Sequence, residues 1–274
     1  TESLYAVPST AIALALLGLM SACIELGHRV GRLHASMSTD ASRDHINGIQ
    51  SAVLGLLALL LAFTCSLALQ RYDSRSVAVV DEANAIGTAF LRTDLLPAPF
   101  RKEAREAISA YLDARVLEAT LALPDQEART KVNGAATSNQ AHIWNIAVSA
   151  SQVIQRAPPL LFLEAINLVI DSYGTRSAAL NRHVPELVLW LLLVTFVLAG
   201  AIVGYAAGIA SHRPSLVTYI LVSLMVVLVF VVLDLDRPRR GAIQVSHASL
   251  TELQSMLHEQ LGRAGPELTE SQDR

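Results

Sequence analysis

Charge is scarce in this chain, and in four places it is missing altogether. Only 16% of the 274 residues are Asp, Glu, Lys or Arg, whereas a soluble domain carries about 25%. The stretches near 9–24, 48–70, 187–210 and 214–233 contain no Asp, Glu, Lys, Arg or His. Each approaches the roughly 20 residues that a helix needs to cross hydrocarbon. The shortage excludes an ordinary soluble domain and implies a polytopic membrane protein.

Cysteine is nearly missing too. Cys23 and Cys65 are the only two, and both lie inside apolar runs. That excludes a disulfide framework and a cysteine-based zinc site. Basic excess is missing as well: 21 Lys and Arg face 24 Asp and Glu, so nothing suggests a nucleic-acid partner. The eight histidines are scattered. His28, His34 and His45 share one polar segment, but their spacing does not form a helical metal face. No HExxH, GxSxG, Walker or GxGxxG pattern occurs. Neither an enzyme, a metal nor a cofactor is therefore expected. The first apolar run lacks a basic leader and an A-x-A exit, so it is expected to remain as a membrane helix.

What is present is a symmetrical layout. Two apolar runs precede a long polar middle, and two follow it. Ser9, after Pro8, is placed to cap the first helix. The segment 26–47 is polar and is expected to join the first two crossings. From residue 76 the pattern becomes that of amphipathic helices, with breaks expected at Pro97 and Pro99, at Leu123, Pro124 and Asp125, and at Pro158 and Pro159. Pro185 opens the third apolar run. Only Ser211 to Arg213 and then Pro214 separate the third run from the fourth, which predicts a tight antiparallel hairpin. A final helix is expected over 247–262, with Leu250, Leu253, Leu257 and Leu261 on one stripe.

The expected fold is all-α, with four transmembrane helices and a helical extramembrane insert. Its parts are 1–70, a first membrane pair; 71–184, the insert; 185–236, a second membrane pair; and 237–274, a tail. Four crossings put the insert and tail on one side. Arg71, Arg75, Arg176, Arg182, Arg237, Arg239 and Arg240 lie near membrane ends there, against Arg29, Arg32, Arg43 and Arg213 on the other. The imbalance favours a cytoplasmic insert.

Three sets of residues stand out. Gly200, Gly204 and Gly208 recur every four residues, a spacing that lets another helix backbone come close. Leu192, off that stripe, has lipid as its simplest neighbour. In the second run Leu59, Phe63, Ser66 and Gln70 share one helical face. Two readings stand for it: contact with lipid or a neighbouring helix, or the lining of a pore with a dry constriction and a polar exit. Asp73 and Glu82 follow and could line an ion vestibule, although a solvated helix face is the plainer account. Asp234 and Asp236 sit where the fourth run ends, and membrane-exit ion pairs with Arg71 or Arg75 are expected. No ionisable group lies inside the runs, which weighs against a coupled transporter.

The stretch from Arg71 to Arg101 and that from Leu233 to Leu250 carry distinctive patterns. They are Glu82-Ala83-Asn84-Ala85-Ile86-Gly87-Thr88, Arg92-Thr93 with Leu95-Leu96-Pro97, and Asp236-Arg237-Pro238-Arg239-Arg240-Gly241. In these the chain resembles the bestrophin-like family of bacterial membrane proteins, and in its layout it resembles the bestrophin ion channels. The resemblance implies a homo-oligomer, a pentamer, in a bacterial inner membrane. It implies passive conduction of inorganic ions through a pore lined by the second helix, with Leu59, Phe63, Ser66 and Gln70 at the neck. The chain departs from bestrophins in two ways. It has Gln70-Arg71-Tyr72-Asp73 where they have an aromatic-rich exit, and its tail lacks an acidic calcium-clasp run. The other function to weigh is a non-conducting scaffold or sensor whose insert binds a partner. Subunit number separates the two, since a pore needs a closed ring.

Overall fold

Long stretches without a helix breaker set the architecture. A computed structural model describes residues 9–120, 126–153, 157–237 and 243–270. Among the described residues the regular structure is helical throughout. The α-helices are α1 (Ser9–His34), α2 (Asp40–Arg92), α3 (Ala98–Thr120), α4 (Gln126–Val153), α5 (Ala157–Leu180), α6 (Glu186–Ile209), α7 (Leu216–Leu235) and α8 (Ala248–Glu270). Four segments are long and apolar enough to cross a membrane: Thr10–Met37, Asp40–Leu95, Glu186–Ile209 and Leu216–Leu235. Pro8 and the capping side chain of Ser9, the break at Leu123 to Asp125 and the Pro238 to Gly241 part of the tail pattern lie outside what is described.

The segment 26–47 is not a connection, as the sequence had suggested. α1 continues through His34 and α2 starts at Asp40. Only a 3-10 turn (Ala35–Met37), Ser38 and Thr39 intervene. The Thr39 hydroxyl caps α2 by accepting from the Ser42 N–H at 3.3 Å. Polarity there ends the apolar runs without ending the helices, because the residues around it are still helix formers. In the same way α2 does not stop at Gln70. It runs 53 residues, and no proline meets it before Pro97. Pro97 then holds Leu96 extended (φ −89°, ψ 150°), as the residue before a proline must be.

The chain divides into two compact units. The first comprises Thr1–Tyr72 with Arg182–Gln244, and the second Asp73–Asn181 with Val245–Arg274.

In the first unit, α1 lies against α6 with glycines on both helices. A Cβ on Gly204 would overlap the Ile24 carbonyl oxygen, and one on Gly208 would overlap that of His28. Gly27 and Gly31 of α1 answer from the other side, against the Ala201 and Tyr205 carbonyl oxygens. Gly200 meets the side chain of Met20. Side chains at these points would hold the backbones apart, so the contact depends on their absence. Around it Met20, Ile24, Leu57, Leu61, Leu192, Phe196, Val222 and Val226 form a buried cluster. Leu192 is thus a core residue at 2% exposure, not a lipid-facing one. The hydroxyls of Ser21, Thr64 and Thr195 each donate to the carbonyl four residues back at 2.8 Å. That satisfies them where water is excluded.

The hairpin between α6 and α7 closes with a left-handed residue. Ser211 has φ 56°. Its N–H donates to the Gly208 carbonyl at 3.0 Å, and that of His212 to Ala207 at 3.1 Å. This is a Schellman ending built on serine rather than glycine. At the far end of α7, Asp236 accepts from the Val184 N–H at 2.9 Å and Asp234 from that of Ile243 at 2.9 Å. The two buried carboxylates tie the chain entering α6 and the chain leaving α7.

In the second unit α3 packs on α4 and on α8, and α4 packs on α5. Each helix turns a periodic stripe inward: Ala104, Ile108, Tyr111 and Leu112 on α3; Ala136, Ile143, Ala147 and Ala150 on α4; Phe162, Ile166 and Val169 on α5; and Leu250 and Leu257 on α8.

Candidate functional site

The two faces of α2 differ sharply. Leu57, Leu61, Thr64 and Ala68 are buried, the first at 0% exposure. The opposite face holds Leu59, Phe63, Ser66 and Gln70, all exposed. Phe63 is 61% exposed and Leu59 52%. Among the described residues, no other helix buries Leu59 or Phe63. Exposed residues continue at the same helical spacing beyond Gln70: Asp73, Val77, Asp81, Asn84, Thr88 and Leu91. The stripe therefore starts apolar at Leu59 and Phe63 and turns polar as it leaves the apolar run. α7 differs in kind, for its exposed positions include Leu216, Val217, Ile220, Leu224 and Val227, as expected for a surface that meets lipid.

Asp73 is exposed, whereas Glu82 is not. Glu82 is 0% exposed and sits between two arginines. Arg115 of α3 donates from Nε to Glu82 Oε1 at 2.6 Å, and Arg176 of α5 donates to Oε2. Glu82 is thus an interior ion-pair partner, not the wall of an open vestibule. Its position explains this, because it shares the inward stripe of α2 with Val79, Ala83, Ile86 and Phe90.

The surroundings of Glu82 complete the cluster. Arg115 also pairs with Glu118 and lies over the Tyr173 ring at 4.6 Å. Tyr111 donates to Glu82 at 3.5 Å and accepts from Gln140 at 3.2 Å. Burial and then the Glu82 charge push the Tyr111 hydroxyl above its usual range, so it stays a neutral donor. Burial opposes the charge of Arg115, but Glu82 outweighs it and raises the guanidinium further. His247, immediately before α8, is held below its ordinary value by burial and then by the Arg176 charge. Four helices and the start of α8 thus meet around one carboxylate. Two guanidiniums and two carboxylates balance there, which is how charge survives burial.

Arg115, Tyr111 and His247 were not singled out from the sequence, and Arg176 was named only among the arginines near membrane ends. A signal existed for one of them. Arg115 falls on the stripe of Ala104, Ala107, Ile108, Tyr111 and Leu112, and an arginine in an apolar stripe requires a buried anion.

The structure places the remaining residues as follows. Arg75 is 2% exposed and donates from Nε to the Ala179 carbonyl at 3.3 Å, at the C-terminal end of α5. A cation there complements the helix dipole. Asp234 and Asp236 hold backbone N–H groups as described above, and His183 lies 3.8 Å from Asp236.

In comparison with known families, the model of the bestrophin-like domain matches residues 12–250. No curated protein matches the chain.

Proposed function

The chain belongs to the bestrophin-like family, and from that premise we propose that it assembles into a closed ring, a homopentamer, that conducts ions passively. The second helix of each subunit, α2, lines the central pore. Leu59 and Phe63 form the dry constriction, and Ser66 and Gln70 lead to the wider exit. The observation that carries this reading is the uncovered face of α2. One side of the helix is buried in the subunit, while the side with Leu59, Phe63, Ser66 and Gln70 is left open. A helix at a ring's axis needs both features. The change from apolar to polar along that face is the order a gate and its exit require.

The arginine distribution favours the second unit on the cytoplasmic side of a bacterial inner membrane. The glycine contact between α1 and α6 keeps each subunit's membrane helices close, which suits a narrow ring.

Two measurements test the proposal. The mass of the detergent-solubilised particle gives the subunit number, with a pentamer expected. Recording in a planar bilayer under a salt gradient gives conduction. A monomeric or dimeric particle without current would favour the non-conducting scaffold instead.

A further inference from the structure

The charge along the pore wall allows the permeant class to be named. We propose that Asp73 and Asp81 of α2 make the channel select cations over anions. This rests on the reading of α2 as the pore wall and deepens it.

The argument starts from which charges of α2 in the second unit reach that face. Asp73 and Asp81 are exposed. They lie on the face of Val77, Asn84 and Thr88, within about 40° of its centre at 100° per residue. The other charged side chains of this stretch are turned away or held. Arg75 points inward to the Ala179 carbonyl. Glu82 is enclosed by Arg115 and Arg176, so its charge is cancelled locally. Arg92 stands at the edge of the face, and its Nη1 is held by the Leu161 carbonyl at 2.6 Å and by Glu164 at 3.3 Å. The remaining face is Val77, Asn84, Thr88 and Leu91, all uncharged.

In a ring, each carboxylate is repeated once per subunit. Stacked rings of negative charge raise the local concentration of cations and exclude anions, and low-dielectric walls strengthen the effect. The internal pairing of the arginines matters as much as the aspartates. Had Arg75 faced outward, it would have cancelled Asp73 in every subunit.

The test is the reversal potential of the purified full-length protein in a planar bilayer, with potassium chloride at unequal concentrations on the two sides. Wild type should reverse on the cation side. The paired variant Asp73→Asn, Asp81→Asn should lose this preference several-fold while still conducting. Asp73→Glu, Asp81→Glu should keep it, since charge and not shape is invoked. Both positions are exposed, so particle mass and melting temperature should not change. Anion-selective wild-type current overturns the inference and leaves the pore reading standing. So does an unaltered reversal potential in the paired asparagine variant. A ring of correct mass that carries no current removes the pore reading, and the inference falls with it.

Discussion

Glu82 and Arg115 meet at 2.6 Å with 0% and 2% of their side chains exposed. The pair joins α2 to α3, and Arg176 adds α5. Removing one member of such a set leaves the other charges buried without compensation, which costs on the order of 3–5 kcal/mol. Glu82→Gln should therefore lower the thermal stability of the detergent-solubilised protein strongly. Asp81→Asn, next to it but exposed, should stay within about 0.5 kcal/mol of wild type. Equal melting temperatures for the two variants would show that the cluster is not what holds these helices.

The glycine contact predicts an unusual sensitivity to a single methyl group. Gly204→Ala should destabilise the membrane unit, because the new Cβ would overlap the Ile24 backbone. Gly174→Ala in α5 is the control. A Cβ there meets nothing within 4 Å, so it should be neutral or stabilising by about 0.5–1 kcal/mol. Thermal unfolding of both variants gives the comparison, and a stable Gly204→Ala would mean that α1 and α6 can part at little cost.

Phe63 and Leu57 lie on opposite faces of α2, and truncating them should have opposite consequences. Leu57 is fully buried, so Leu57→Ala should cost about 2–5 kcal/mol through the cavity it leaves. Phe63 is mostly exposed within the chain, so Phe63→Ala should leave the subunit's fold intact. If Phe63 forms the dry ring, its loss should ease wetting and raise conductance or open probability. Unchanged currents from a stable Phe63→Ala ring would take Phe63 out of the constriction.

His247 predicts a pH dependence in the seating of α8. Burial and the neighbouring Arg176 lower its folded value, Arg115 acts in the same direction, and Glu82 and Glu118 act against it. A histidine with a depressed folded value favours the docked state while neutral. Its contribution is full above the ordinary value of about 6.5 and is lost as the pH falls through the lowered one. A cation at the start of α8 also opposes that helix's dipole. Hydrogen exchange across 248–262, corrected for intrinsic rates, should show weaker protection at pH 5.5 than at 7.5. The loss should shrink in His247→Gln. Further along α8, His258 lies 3.1 Å from Asp113, a second histidine contact made by this helix. The comparison is therefore best made in a His258→Gln background. Protection that does not respond to pH would exclude His247 as a sensor.

The sequence alone determined that this is an all-α membrane protein, because uncharged runs of such length have no other stable home than a bilayer. It also carried the family patterns around Glu82 and Asp236, the α6–α7 hairpin and the leucine stripe of α8. These are local properties, fixed by composition and by the 3.6-residue period. It did not determine where α1 and α2 end. Loss of hydrophobicity at Glu25 and Gln70 says where lipid stops, while helix continuity depends on the breaker residues, and Pro97 is the first that α2 meets. Nor could it place Glu82. Asp81 and Glu82 are neighbours in sequence and differ in fate only because about 100° of helical rotation separates them. The tertiary structure turned one to the open face and the other to Arg115 and Arg176, which stand far away along the chain. Partnership over such separations is decided by which stripes the helices bury against one another, and no single stripe contains that information.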